Sequence, residues 1–305
     1  MSKQDFKASI DFVYGEPKTL FPGVQRIVAN NPSSLTFRGT NTYIVGQGND
    51  LAVIDPGPKD ESHFVAIMAA TMSKRITHIF ITHSHPDHIG GLERLASATG
   101  AEVCAYRQNS HNGRIGSENL ASYNAYYENV VPTIELLDGD YINIGDWTLT
   151  AVFTPGHAPD HLCFQLNDTG VLFSGDHVMG WNTSLVAPPE GQLRDYLLSL
   201  ETLLKRNDSV YYPGHGNYIK QPKQCVKNYI LHSELRQKFI LAAIRNGCCT
   251  ITDIVPRIYK KLDQNLNNAA ILSVQAHIEY LSQKGLVHID QPITLTSNIA
   301  ASKST

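Results

Sequence analysis

The chain has 305 residues, of which 42% are hydrophobic and 17% are charged, and its formal net charge is −3. This composition is typical of a globular protein with a sizeable buried core and excludes a mainly disordered chain. The nearly balanced charge argues against a protein that coats nucleic acid by electrostatic attraction alone. The length predicts one large α/β domain followed by a smaller one.

The cysteines and the N-terminal segment indicate the cellular compartment in which the protein is expected. The five cysteines are odd in number and include no Cys-x-x-Cys pair, so neither a disulfide framework nor a thiolate zinc site is indicated. The first residues carry charges of both signs and no apolar core follows them, unlike a secretory signal. No stretch reaches the roughly 18 apolar residues of a membrane span. We expect a cytoplasmic protein, with the mitochondrial matrix as an alternative although no Arg-rich transit segment is visible.

Short β-rich segments alternate with helical spacing over the first two thirds of the chain. The pattern predicts strands at 24–28, 42–45, 51–54, 76–81, 102–106, 148–153, 161–166, 171–174 and 210–212. Apolar residues at helical spacing predict helices at 61–73, 92–99 and 193–205. Residues 107–130 lack a clear period and are expected to form a loop or short helices beside a site. This order predicts α and β layers around a mixed core.

Beyond about residue 222 the pattern becomes almost purely helical. Residues 224–246 are amphipathic, a second helix begins at Ile251, and a third over 268–284 ends before Gly285. Residues 286–289 and 293–295 are expected to pair as a hairpin. Three helices and a β-wing would form a winged-helix-like domain, so we place the domains at 1–221 and 222–305.

The C-terminal segment is mildly basic. Between residues 225 and 290 it has eight lysine and arginine residues against five aspartate and glutamate residues. Such a face can contact the phosphates of a nucleic acid, and winged-helix folds often do so. The alternative is a packing or dimerisation role, which makes a homodimer possible.

The strongest chemical signal is the segment His83-Ser84-His85-Pro86-Asp87-His88, which follows an apolar strand. Imidazole and carboxylate groups are suitable zinc ligands, and this spacing offers four of them in one short segment. The side chains of His83 and His85 point to the same side of an extended stretch. Asp87 and His88 come after the turn favoured by Pro86 and are free to face a second ion.

Three further donors stand at the ends of β segments, each beside a glycine that lets the backbone approach an ion closely. They are His157, Asp176 and His215. Together with Asp55 in Val53-Ile54-Asp55-Pro56-Gly57, the set resembles the five-motif pattern of the metallo-β-lactamase superfamily over residues 24–216. The resemblance implies an αβ/βα sandwich with metals at one edge between two sheets.

The same resemblance implies a ligand set for two zinc ions. One ion would take His83, His85 and His157, the other Asp87, His88 and His215, with Asp176 as the bridge. The nucleophile would be a hydroxide shared by the two metals, with Asp87 and Asp176 as the candidate catalytic residues. Asp55 would orient the histidine loop, and His161 and His177 are candidates for supporting the ligands that precede them.

The whole arrangement, including Gly39-Thr40-Asn41-Thr42-Tyr43-Ile44 and the helical tail, looks most like the β-lactamase-like-protein-2 group. That group includes single-strand-specific endoribonucleases, so the first hypothesis is a dinuclear zinc hydrolase that cleaves single-stranded RNA. The second hypothesis keeps the metals and changes the substrate to a small molecule, namely a lactone, thioester or β-lactam. The complete ligand set disfavours a third, a non-catalytic nucleic-acid-binding module.

Overall fold

The computed structural model describes residues 10–106, 130–260, 263–291 and 293–302. The segment 107–130, for which the sequence predicts a loop or short helices, lies outside the described residues except for Val130. Within the described ranges the chain forms two large sheets with helices on their outer faces, followed by a helical C-terminal region.

The larger sheet has seven strands among the described residues, arranged in chain order from β1 to β7. They are β1 (Lys18–Phe21), β2 (Val24–Val28), β3 (Asn41–Val45), β4 (Asp50–Ile54), β5 (Arg75–Phe80), β6 (Glu102–Tyr106) and β7 (Ile134–Leu136). Pairing is antiparallel up to β4 and parallel from β4 to β7. The parallel connections contain α1 (Glu61–Ala70), the short α2 (Pro86–Ile89) and α3 (Leu92–Thr99).

The smaller sheet has five strands in the spatial order β12-β11-β10-β9-β8. They are β8 (Tyr141–Ile144), β9 (Trp147–Phe153), β10 (Leu162–Leu166), β11 (Val171–Gly175) and β12 (Val210–Pro213). The last two pair in parallel and are connected by α4 (Leu193–Lys205). The carboxyl ends of β11 and β12 therefore lie side by side.

Apolar side chains between the two sheets form the inner core. Phe80 of the larger sheet and Phe164 of the smaller one meet edge to face, with ring centroids 5.1 Å apart. Helices cover the outer faces, with Ile67 of α1 and Leu95 of α3 against the larger sheet and Leu200 of α4 against the smaller one. The predicted αβ/βα sandwich is confirmed.

The C-terminal region contains three helices and a two-stranded hairpin. They are α5 (Pro222–Arg245), α6 (Ile251–Ile258), α7 (Asn267–Gln283), β13 (Val287–Ile289) and β14 (Ile299–Ala301). Helix α5 belongs to two cores, because Val226 and Tyr229 pack with α4 and the smaller sheet, whereas Ile240 and Ile244 pack with α6, α7 and the hairpin. The predicted winged-helix form is confirmed, and the boundary between residues 221 and 222 stays a prediction. No helix in the described part of the chain has the length and apolarity that a membrane crossing needs.

The hairpin differs from the sequence prediction in its second strand. Residues Val287–Ile289 pair with Ile299–Ala301 instead of with 293–295. Ile293 and Leu295 lie in the loop between the strands and are partly buried against the C-terminal core, so apolar residues occur here without strand pairing. Strands β1, β7 and β8 were not predicted, since three or four residues carry little periodicity.

We expect Phe164→Ala to lower the free energy of unfolding by about 3–5 kcal/mol, because its buried ring fills the space between the sheets. Chemical denaturation followed by circular dichroism measures the change. Phe239→Ala is the matched control, since that ring is 51% exposed on α5. Its effect should stay below about 0.5 kcal/mol, and equal losses in the two variants would contradict this account of the core.

Candidate metal centre

All seven predicted ligands stand just after strands of the two sheets. His83 and His85 follow β5, Asp87 and His88 lie on α2, His157 follows β9, Asp176 follows β11, and His215 follows β12. Their donor atoms fall into three overlapping groups, each with all atoms within 4.8 Å of one another. The structure therefore brings every predicted ligand into a single cluster.

One part of the cluster is made of three imidazoles. Nε2 of His83 lies 2.9 Å from Nδ1 of His85, and Nε2 of His157 lies 3.1 Å from the same atom. The three nitrogens cannot all form hydrogen bonds with one another, because a neutral imidazole has only one N–H to donate. All three can instead coordinate one cation. The arrangement suits one zinc ion.

The second part combines two imidazoles with a carboxylate. Oδ2 of Asp87 lies 3.1 Å from Nε2 of His215 and 3.4 Å from Nε2 of His88. Thr40 donates a hydrogen bond of 3.1 Å to the same oxygen, which fixes the carboxylate of Asp87 on its short helix.

The carboxylate of Asp176 lies between the two parts. Its Oδ2 is 3.2 Å from Nε2 of His215 and 3.8 Å from Nε2 of His157. Its Oδ1 is 3.6 Å from Nε2 of His88. The carboxylate of Asp176 therefore faces imidazoles from both parts of the cluster.

Two buried atoms at this centre have no hydrogen-bond partner among the described residues, namely Nε2 of His88 and Oδ1 of Asp176. A buried polar atom without a partner costs free energy, and a cation that accepts a lone pair from each would remove that cost. Five imidazoles and two carboxylates are also ligand types that zinc prefers. The residues present therefore fit bound metal ions.

The second nitrogen of each imidazole is held by a different neighbour. His157 contacts the carbonyl oxygen of Leu185 at 2.7 Å, and His215 contacts that of Gly39 at 3.2 Å. A carbonyl oxygen can only accept, so the imidazole N–H points away from the centre and the other nitrogen presents its lone pair. These contacts select the tautomer that binds a metal.

Carboxylates do the same for two other imidazoles. Asp55 Oδ2 lies 2.8 Å from Nδ1 of His88 and accepts a hydrogen bond of 2.7 Å from the hydroxyl of Thr82. Glu190 Oε1 lies 3.0 Å from Nε2 of His85. The sequence predicted the orienting position of Asp55. It missed Glu190, because a single glutamate in the connection between β11 and α4 carries no local signal.

The two histidines proposed as supports behave differently. His161 Nε2 accepts a hydrogen bond of 3.1 Å from the backbone N–H of Asp176 and so positions that ligand. Neither ring nitrogen of His177 has a hydrogen-bond partner among the described residues. The ring of His177 packs against Tyr196, with centroids 4.6 Å apart.

Burial and the charges of neighbouring groups together set the pKa of each imidazole. Burial, together with the neighbouring imidazole of His85, lowers the pKa of His157 to about 4. Burial also disfavours the charged form of His215, but the carboxylates of Asp176 and Asp87 outweigh it and raise its pKa to about 10. The two carboxylates thus create a strong demand for positive charge, which a metal ion satisfies.

A cavity of about 620 Å³ extends from this centre. Five of the seven ligands line it, His85, Asp87, His157, Asp176 and His215, and its walls are largely apolar. Helices α5 and α7 contribute the remaining side, including Tyr229, His232, Ser233, Arg236, Ser273 and His277. The C-terminal domain is therefore part of the wall of the candidate active site.

The sandwich fold and the paired histidine and carboxylate groups define a metal-dependent hydrolase. Residues 35–215 match the Metallo-beta-lactamase superfamily, and residues 250–291 match the Beta-lactamase associated winged helix domain. The chain belongs to the metallo-beta-lactamase superfamily, as the sequence motifs predicted.

Sequence similarity to known proteins extends over both domains of the chain. The beta-lactamase-like protein 2 homolog of Drosophila melanogaster is 29% identical over 278 residues, which cover 89% of this chain and 92% of that protein. An atrochrysone carboxyl ACP thioesterase of Aspergillus fumigatus is 31% identical over 263 residues, covering 81% of this chain and 76% of that enzyme. The crystal structure of a beta-lactamase domain protein from Burkholderia ambifaria has a TM-score of 0.81 at 21% identity, with 96% of each chain covered.

We expect Gly214→Ala to lower metal content and to lower turnover by at least about tenfold, because it displaces ligands. A Cβ at this position would lie 2.7 Å from Cε1 of His88 and closer still to Oδ1 of Asp176. Elemental analysis and a hydrolysis assay measure the two effects. Gly48→Ala is the control, since a Cβ there meets no atom within 4 Å, and a metal-loaded, fully active Gly214→Ala protein would contradict the packing described here.

Proposed function

We propose that this protein is a dinuclear zinc hydrolase that cleaves an ester or thioester bond in an elongated small-molecule substrate. The observation that carries this proposal is the cavity of about 620 Å³, which begins at the clustered ligands and is walled by the C-terminal helices. A concave, largely apolar pocket with a few polar groups at one end suits an acyl chain with its reacting carbonyl at that end.

In this proposal His83, His85 and His157 hold one zinc ion, and Asp87, His88 and His215 hold the other. Asp176 bridges the two. Bound zinc supplies Lewis acidity and makes water a nucleophile at neutral pH. The protein holds the ligand imidazoles in one tautomer through Asp55, Glu190 and two backbone carbonyls.

The apolar wall has a separate role in the proposal. Met179, Leu185 and Val186 line the cavity beside the ligands and would exclude bulk water from the reacting carbonyl. A drier site strengthens each electrostatic interaction with the developing charge. Similarity to a protein named as a thioesterase, at 31% identity, supports the same substrate class.

Asp176→Ala is expected to lower hydrolysis of every substrate by at least about a hundredfold, because losing the bridge disturbs both metal positions. The fold should survive, since its core lies between the sheets and not at the ligands. Metal content, circular dichroism and turnover of an acyl thioester are the measurements. A folded variant that keeps two metals and a near-normal rate would remove Asp176 from its proposed role.

Single-stranded RNA is the second candidate substrate. A phosphodiester is open to the same metal-dependent hydrolysis. Six of the eight basic residues between 225 and 290 are exposed, namely Lys227, Lys238, Arg245, Arg257, Lys260 and Lys284. Arg236 lines the cavity instead of the outer surface, and Lys261 lies outside the described residues. A cytoplasmic location and a homodimer stay predictions.

The RNA candidate predicts that reversing two of these charges, in Arg257→Glu with Lys260→Glu, weakens RNA binding and cleavage. Each lost phosphate contact should also make binding less sensitive to salt. Hydrolysis of a small thioester is the internal control and should not change, because neither residue lines the cavity. A double variant that binds and cleaves RNA like the wild type across a salt series would exclude these two residues as an RNA surface.

A further inference from the structure

One face of α5 lines the cavity over two helical turns. Tyr229, His232, Ser233 and Arg236 are spaced at i, i+3, i+4 and i+7, so they share this face. The hydroxyl of Tyr229 donates to the carbonyl oxygen of Met179 at 2.8 Å, close to the metal-centre loop that follows β11. Arg236 stands seven residues further along, which is about 10 Å along the helix axis.

The guanidinium of Arg236 has neutral neighbours. It donates to the hydroxyl of Tyr259, lies 3.4 Å from Oγ of Ser273 and lies 3.3 Å from Nε2 of His232. Its central carbon also lies 4.6 Å from the centroid of the Tyr259 ring. Arg236 forms no salt bridge with any carboxylate in the part of the chain that the structure describes.

No described carboxylate therefore compensates the charge of this group within the partly buried cavity. Burial lowers the pKa of Arg236 to about 10, which still leaves the guanidinium charged at neutral pH. Burial, with the charge of Arg236, lowers the pKa of His232 to about 4, and burial also lowers that of His277 to about 4. The cavity wall around Arg236 thus carries the positive charge of its guanidinium beside the neutral imidazoles of His232 and His277.

A desolvated cation without a counterion is unfavourable unless an anion completes the pair. A guanidinium presents a planar fork of donors that matches a carboxylate or a phosphate. The hydroxyl of Tyr259 accepts from Arg236 and keeps its own proton available for a ligand. The cavity therefore offers an anion-binding group on α5, about 10 Å along the helix axis from Tyr229.

We infer that Arg236 and Tyr259 form a subsite for a carboxylate or phosphate at the far end of the substrate, with the scissile carbonyl at the metal centre. This inference rests on the proposed ester or thioester hydrolysis and adds the substrate class, an elongated acyl compound with a terminal anion. The subsite would bind the anion and position the chain, and it would take no part in bond cleavage.

The test uses three thioesters of N-acetylcysteamine that differ only at the distal end of an eight-carbon acyl chain. One ends in a carboxylate, one in a phosphate and one in a neutral primary amide. We expect the wild-type protein to favour an anionic end by about tenfold or more in kcat/KM, mostly through KM, because charge-assisted hydrogen bonds contribute that much. The ratio between the carboxylate and phosphate substrates identifies which anion the subsite accepts.

Arg236→Gln should abolish this preference, because kcat/KM for the two anionic substrates falls by about tenfold or more and that for the amide substrate falls much less. Arg236→Lys should retain part of it, since lysine keeps the charge and loses the planar fork. Lys238→Gln is the matched control, because it removes one positive charge from the exposed face of the same helix. Equal losses on all three substrates would assign Arg236 a structural role and overturn the inference.

A binding measurement separates the subsite from the proposed reaction. Calorimetric titration of the metal-loaded protein compares octanedioic acid monoamide with the uncharged diamide, neither of which carries a thioester. Tighter binding of the monoamide that disappears in Arg236→Gln supports the subsite even if no thioester is cleaved, in which case the proposed reaction alone fails. Hydrolysis of all three thioesters at equal rates, with binding insensitive to Arg236, would refute the subsite and leave the hydrolase proposal standing.

Discussion

The concentration of seven histidine and aspartate side chains at the ends of two sheets is the constraint on which this structure depends. Five imidazoles and two carboxylates lie within a few ångströms of one another and are mostly buried. Such groups cannot satisfy one another completely, because Nε2 of His88 and Oδ1 of Asp176 have no hydrogen-bond partner in the part of the chain that the structure describes. The surrounding residues must therefore hold each ring in place and leave one lone pair directed at the centre.

That requirement explains several features that are otherwise unfavourable. Asp55 has a φ of 53°, a conformation that costs a non-glycine residue of order 1–3 kcal/mol. Its carboxylate accepts hydrogen bonds from the N–H and the hydroxyl of Thr82 and contacts His88. Across the sandwich, the amide of Asn41 donates to the carbonyl oxygens of Pro213 and Gly216 and fixes the loop that carries His215. The strained backbone of Asp55 helps to position His88, and the hydrogen bonds of Asn41 help to position His215.

The sequence predicted what is encoded locally. The seven clustered residues could be selected from the sequence because each stands beside a glycine or in a short histidine-rich segment, directly after a recognisable strand. Glu190 could not be found, and Arg236 was predicted only as one of the basic residues of the C-terminal segment. Their contacts depend on elements that are far apart in the chain, such as the 105-residue separation between His85 and Glu190. The predicted hairpin partner was wrong for a related reason, since Ile293 and Leu295 lie partly buried in a loop and give the same apolar signal as a strand.

Helix α5 connects the sandwich, which contains the candidate metal centre, to the C-terminal domain. Its first half packs on the smaller sheet through Val226 and Tyr229, and its second half enters the separate core through Ile240 and Ile244. Because one continuous helix belongs to both cores, the face that carries Arg236 is held at a fixed distance along the helix from the metal centre. A winged-helix domain in this position can form one wall of a cavity for a small substrate. Its outer face is a separate surface that carries the exposed basic residues.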